Sequence, residues 1–256
     1  MDMRKDAQMI VFRRFSAALL SLAAAATLLA GCDRPAPAVQ PLLAPYPSPR
    51  SIVIAPLFNQ SPSDQFDTLA TTDVLVAEMS QVEGLGVLPT NRALKILVAN
   101  RRTHVTSVEE AIQLAQLLGA DGVVVGAVTE FNPYKPQKVG MTLQLYWVRA
   151  DIDSGGLDPN DLARRPSEAR NQGELAYYSG VRPAAQVQGV FDASRNDVTA
   201  QVQAYASGRQ GQDSPFGWRK YLVDSDSYMH FVCHEMVVRL MNQEFCRITV
   251  PVTTQP

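Results

Sequence analysis

The spacing of apolar residues changes period along the chain, and each change marks an element. Ser51-Ile52-Val53-Ile54-Ala55-Pro56-Leu57 is a short apolar run with β-branched residues, closed by Pro56 and by Asn59-Gln60-Ser61-Pro62. It predicts a buried strand followed by a loop. Over residues 64–82 the period becomes helical, with Leu69, Thr72, Val76 and Met79 recurring on one face. Gly86-Val87-Leu88-Pro89 predicts a second, short strand. Asn91 can cap a helix through Val98, with Arg101 and Arg102 at its end, where cations suit the helix dipole. Thr106 with Glu109, or Ser107 with Glu110, fits a capping box. The helix it opens carries Val108, Ile112, Ala115 and Leu118 on one side and stops at Gly119.

Gly122-Val123-Val124-Val125-Gly126-Ala127-Val128 is apolar on both faces, the mark of a central strand. Met141, Leu143, Leu145 and Trp147 alternate with polar or small residues, which predicts a half-exposed strand. Residues 149–182 then turn to Gly, Asp, Arg, Asn and Pro, a long polar insertion. A strand resumes over 187–191 and a helix over 197–206. The last helix, 224–243, turns Met229, Val232, Cys233, Met236 and Leu240 inward and a Glu235–Arg239 pair outward. The fold class that follows is α/β: a small mixed-sheet sandwich with helices packed on the sheet, in the order β-α-β-α-α-β-β-β-α.

The first 32 residues have a different pattern. Arg4, Lys5, Arg13 and Arg14 precede a stretch, 15–30, that is apolar or small apart from Ser16, Ser21 and Thr27. That order is a secretory signal, too short to span a bilayer. Its end, Leu29-Ala30-Gly31-Cys32, resembles the lipobox read by bacterial lipoprotein signal peptidase. The resemblance implies a signal peptide over 1–31, cleavage before Cys32, and acylation of Cys32 by chains such as palmitate. Two or more chains hold stably, since each buried methylene contributes about 0.8 kcal/mol. The expected place is therefore a lipid anchor on the cell membrane or outer membrane, facing the periplasm; Asp33 leaves the choice of membrane open. Residues 32–50 carry Pro35, Pro37, Pro41, Pro45, Pro47 and Pro49 and read as a semi-rigid tether. A single α/β domain over 51–248 follows, with a flexible tail at 249–256.

Charge narrows the partners. The chain holds 23 Lys and Arg against 25 Asp and Glu, and residues after Cys32 keep 19 against 23. No basic surplus exists to neutralise phosphates, so no nucleic-acid partner is expected. No second apolar run approaches spanning length, and the charges and Pro of 149–182 do not suit a pore-lining strand. Besides Cys32 only Cys233 and Cys246 remain, an even pair that is either a disulfide or two thiols.

Two stretches carry a family resemblance. Ile52-Val53-Ile54-Ala55-Pro56-Leu57 with Asn59 resembles the opening strand of a group of envelope domains. The run Ala115-Gln116-Leu117-Leu118-Gly119-Ala120-Asp121-Gly122-Val123-Val124-Val125-Gly126 resembles its helix–turn–strand hallmark. The group includes the curli-secretion lipoprotein, the N-terminal domain of TolB, and LpoB, the lipoprotein activator of penicillin-binding proteins. The resemblance covers residues 51–148 by motif and 186–243 by predicted elements. It implies an α/β sandwich that binds envelope proteins or assembles, without an active site. The 149–182 insertion and Ser214-Pro215-Phe216-Gly217-Trp218-Arg219 depart from the pattern.

Chemistry-bearing residues are few. His230 and His234 stand four apart with Cys233 between them, a spacing that can place ligands on a metal. The order His-Phe-Val-Cys-His-Glu is not the zincin pattern, and a helix flank packed on the domain is the plainer reading. Asp151, Asp153, Asp158 and Asp161 fail the EF-hand template at Gly155 and Leu162. No nucleophile elbow, phosphate loop or dinucleotide fingerprint occurs. No enzyme, catalytic residue, resident metal or cofactor is expected. Tyr177 and Tyr178 either anchor a partner or secure the base of the insertion. The expected function is a protein-interaction or assembly module of the cell envelope. An accessory subunit of an export machine and a metal-binding or hydrolytic domain are the alternatives, and homo-oligomerisation stays open.

Overall fold

Ile52, Val53 and Ile54 carry branched or stiff side chains that pack well on a pleated surface, and they lie buried in β1 (Arg50–Ile54). The computed structural model describes residues 41–148, 182–207, 209 and 215–249. In it β1 sits between β3 (Leu85–Leu88) and β4 (Gly122–Asn132), parallel to both. β4 pairs antiparallel with β5 (Lys138–Trp147), and β5 with β6 (Ala185–Asp192). A two-residue strand, β2 (Phe58–Asn59), runs parallel to β4 just beyond the end of β1. The result is a six-stranded mixed sheet in the order β3-β1-β4-β5-β6, with β2 beside β4.

Six α-helices among the described residues pack on this sheet: α1 (Thr68–Met79), α2 (Thr90–Ala99), α3 (Val108–Leu118), α4 (Asn196–Ser207), α5 (Lys220–Val223) and α6 (Ser225–Thr249). On one face Leu75 and Met79 of α1, Val202 of α4, and Phe231, Val232, Met236 and Leu240 of α6 meet Ile52, Val124, Met141 and Leu143. Each such side chain contributes about 1.5–3 kcal/mol when fully buried. On the other face Ala93 of α2 and Ala111, Leu114 and Ala115 of α3 lie against Val53, Val123 and Tyr146. The small alanines let these two helices approach the strands closely. Gly126 serves the same end within β4: a Cβ there would stand 2.5 Å from Leu143 Cδ2 and 2.8 Å from the Thr142 carbonyl oxygen.

The observed order matches the one read from the sequence, with β2 and α5 added and two long helices, α4 and α6, after β6 where that order counts one. Gly119 ends α3 with φ 68°, the left-handed conformation expected of it. All five residues assigned to the inner face of the last helix are buried. Some local readings need correction and others narrow. The inward face of α1 is Thr71, Thr72, Leu75, Glu78 and Met79, while Leu69 is exposed. Asn91 does not cap α2, which starts one residue earlier behind Pro89 with no side-chain cap. The capping box is the Ser107–Glu110 alternative, and Glu110 reaches past the cap to the Thr106 amide and hydroxyl. Arg102 meets Glu110 at 2.6 Å rather than serving only the end of α2, and Arg239 lies over the Phe191 ring.

Candidate functional site

The segment read as the end of the tether is fastened to the domain. Between its prolines Leu42, Ala44 and Tyr46 are partly buried and pack against the core on the α1–α6 face. The Ala44 amide donates to the Glu83 carbonyl at 2.8 Å, and the Glu83 amide donates to the Leu42 carbonyl at 2.9 Å. Tyr46 stands edge-on to Trp147, with ring centroids 5.1 Å apart, and its hydroxyl donates to Glu244 at 3.2 Å. The Trp147 indole N–H donates to the same carboxylate at 2.8 Å, and Arg247 adds bonds of 2.7 and 2.9 Å. Arg50 lies over both aromatic rings, 5.1 and 4.7 Å from their centroids. Glu244 is fully buried. Burial, then the Glu244 charge and its hydrogen bond, push the Tyr46 hydroxyl well above its ordinary range. Residues 42–50 therefore belong to the folded unit, a correction to the tether boundary at 50.

A second buried carboxylate, Glu78 on α1, joins three helical segments. It accepts from His230 Nδ1 at 2.9 Å, Arg209 at 3.1 Å and the Tyr205 hydroxyl at 3.4 Å, and His234 Nδ1 lies 3.4 Å away. Arg209 also covers the Tyr205 ring at 3.9 Å. Burial alone would raise the Glu78 carboxyl, but the hydrogen bonds from His234 and His230 and the Arg209 charge outweigh it and hold it below the usual range. Sequence reading missed both Glu78 and Glu244. The signal was present for the first: Leu75, Glu78, Met79 and Val82 share a helical stripe, and a lone carboxylate on an apolar stripe requires a cationic or donor partner.

The residues singled out from sequence separate. His230 and His234 share the Glu78 carboxylate, but Cys233 is buried on the core side of α6 with its thiol pushed up by burial. It does not join the histidines. Among the described residues no group of three or more His, Cys, Asp or Glu is arranged to hold a metal ion. The disulfide alternative is overturned. Cys233 and Cys246 are both free, one buried and one exposed. They stand thirteen residues apart on the single helix α6, a rise of about 20 Å against the ~6 Å a bridge spans. Cys32, Tyr177 and Tyr178 lie outside the described residues, as do 1–40 and 149–181.

The two ends of the sheet differ. Trp147 closes β5 against Tyr46 and Glu244, while Lys138 opens the same strand. Nine steps of strand separate them, about 30 Å. At the far end the turn between β4 and β5 carries Tyr134, 67% exposed, and Gln137 donates to Ser225 at the start of α6. Val223 and Phe216, in the segments just before α6, are exposed as well.

No family model and no curated protein matches the chain. Solved structures do. Lipoprotein GNA1162 from Neisseria meningitidis is similar with a TM-score of 0.33 and 21% identity, over 51% of this chain and 91% of that one. The LpoB C-terminal domain from Salmonella enterica is similar at 0.33 and 12% identity, over 40% of this chain and 73% of its own. The same domain from Escherichia coli gives 0.32 and 12%, over 39% and 72%. Likeness of this degree concerns stretches of backbone and carries no activity across. The resemblance to the curli-secretion lipoprotein and TolB rests on the residues quoted from the sequence. No helix among the described residues is long and apolar enough to cross a membrane.

Proposed function

We propose that the chain is a lipid-anchored, periplasm-facing lipoprotein that acts as a protein-interaction or assembly module of the cell envelope and not as an enzyme. The observation that carries the reading is the fastening of the tether to one end of the domain. The chain leading from Cys32 is clasped at one end, by Tyr46 on Glu244 and Trp147. At the other end the exposed Tyr134 stands on the β4–β5 turn, and Phe216, exposed as well, lies ahead of α5. A clasped tether presents the opposite end away from the membrane, and aromatic side chains are the type that anchors interfaces. Exposed apolar residues are ordinary on any surface and here lie at both ends, Leu43, Phe245 and Ile248 beside the clasp among them, so the fastening of the tether, not a grouping of such side chains, supports the reading.

Two experiments test it. Cys32→Ala in the full chain should leave unprocessed precursor without acyl label; mature-sized, membrane-held protein in that variant would remove the anchor. A photo-crosslinking residue at 134 or 216, in cells, should capture the same protein or a second copy of the chain. The same residue at exposed Leu117 on α3 should not. Equal capture from all three positions would end the interaction reading.

A further inference from the structure

Just past the end of α4, Arg209 reaches the carboxylate that His230 and His234 also approach. Its Nη2 atom lies 3.1 Å from Glu78 Oε2, 3.1 Å from Gln81 Oε1 and 3.2 Å from His234 Nδ1. A guanidinium has no acceptor, so in the third contact it donates and His234 Nδ1 accepts. That ring atom then carries a lone pair, and His234 is neutral with its hydrogen on Nε2. His230 is fixed the other way. Its Nδ1 stands 2.9 Å from Glu78 Oε1, and a carboxylate only accepts, so Nδ1 carries a hydrogen whether that ring is neutral or charged. A proton therefore does different things to the two histidines.

Charging His234 reverses one contact. With a hydrogen on Nδ1 the ring can no longer accept from Arg209, and two positive groups face each other at 3.2 Å. The acceptor nearest that hydrogen is Glu78 Oε2, 3.4 Å away, the oxygen that Arg209 holds. We propose that His234 and Arg209 form a proton-operated latch: neutral His234 keeps Arg209 on Glu78, and protonated His234 takes the carboxylate and releases Arg209. Imidazole is the side chain whose charge changes between about pH 5 and pH 8. The other groups facing the ring do not exchange protons over that range or do not change partner. Tyr205 of α4, its ring 5.0 Å from that of His234, has its hydroxyl pushed up by burial, and Tyr221 of α5 stands edge-on to it at 5.3 Å. Burial likewise pushes up the Cys233 thiol on the core side of α6, and His230 keeps its bond to Oε1 in either charge state. What the latch frees is the end of α4, which Arg209 ties to α1 through Glu78 and Gln81 while covering the Tyr205 ring at 3.9 Å.

The test uses the full chain purified in detergent, carrying Cys246→Ser to remove the exposed thiol and Ser207→Cys to take a nitroxide. Position 207 is exposed at the end of α4, two residues before Arg209. The motion of the label is read by electron paramagnetic resonance from about pH 8 to about pH 5, the range in which imidazole titrates. The label should be immobile at the upper end and mobile at the lower. One linked proton changes the ratio of the two populations by up to about tenfold per pH unit. His234→Gln still offers Arg209 an acceptor at every pH and should stay immobile, whereas His230→Gln should keep the transition. Arg209→Gln should be mobile throughout, with the circular dichroism of the parent, which separates an open latch from a lost fold. An unchanging label in the parent, the full transition in His234→Gln, its abolition by His230→Gln, or an immobile label in Arg209→Gln would each overturn the latch.

Discussion

Replacing Glu244 is the sharpest test of the clasp between residues 42–50 and the end of α6. Glu244→Leu fills the space but takes the acceptor from the Trp147 indole N–H at 2.8 Å, from the Tyr46 hydroxyl at 3.2 Å and from two Arg247 bonds. A buried donor stripped of its acceptor costs about 1–3 kcal/mol. Breaking a buried ion pair costs about 3–5 kcal/mol. The Arg247 side chain is 34% exposed and can turn to water, so the lower end of that range applies. The expected loss for Glu244→Leu is about 3 kcal/mol, or roughly 6–12 °C in melting temperature for a domain of this size. Glu244→Gln keeps an acceptor for the indole and should lose only about 1 kcal/mol. Urea unfolding followed by tryptophan fluorescence measures both. Trypsin should also cut after Arg50 faster in Glu244→Leu, because Tyr46 no longer holds the segment down. Midpoints within about 0.5 kcal/mol of the parent, together with unchanged cutting, would refute the account of Glu244 as the clasp.

Native protein should take up one equivalent of a maleimide at Cys246 and a second at Cys233 only on unfolding; two in the native state, or none, would contradict their placement. Gly126→Ala should lower stability by about 1–3 kcal/mol, because its Cβ would collide with Leu143 and the Thr142 carbonyl. Gly119→Ala meets open space but keeps φ 68°, and should cost about 1 kcal/mol; a larger loss at 119 than at 126 would reverse the argument. Asp224 accepts from the Ser227 amide and hydroxyl at the start of α6, so Asp224→Ala should cost about 0.5–2 kcal/mol at neutral pH. Those Ser227 bonds hold the Asp224 carboxyl below its usual range. Its contribution is present above the unfolded carboxylate range and lost as pH falls through the folded one, so parent and variant should converge in acid.

Features that depend on a few neighbouring residues were legible in the sequence. Gly119 closes α3 because only the next turn decides it, and Gly126 lies in a strand whose own composition announces close packing. The inner face of α6 follows from its own spacing of Met229, Val232, Met236 and Leu240. The two carboxylate sites depend on residues far apart in the chain. Glu78 faces inward because His230, 152 positions away, supplies a donor, and a hydrophobic pattern scores Glu as solvent-facing. Alternating prolines announce an extended backbone but not the surface it lies on; Tyr46 finds Glu244 198 positions later. The cysteines were misleading for a related reason. An even count suggests pairing, whereas continuous helix from Ser225 to Thr249 holds the two thiols apart.

The clasped segment runs directly into β1, and β1 is hydrogen-bonded on both sides by strands parallel to it. A pull on the chain before Leu42 therefore meets the Glu83 and Glu244 contacts first and then acts along the length of β1. Drawn lengthwise, the bonds to β3 and β4 are loaded together in shear instead of being peeled one at a time. Resistance to such a pull is governed by the rate of unfolding and not by equilibrium stability. The clasp thus sets where traction enters the molecule, and the strand that receives it is flanked on both sides within the sheet.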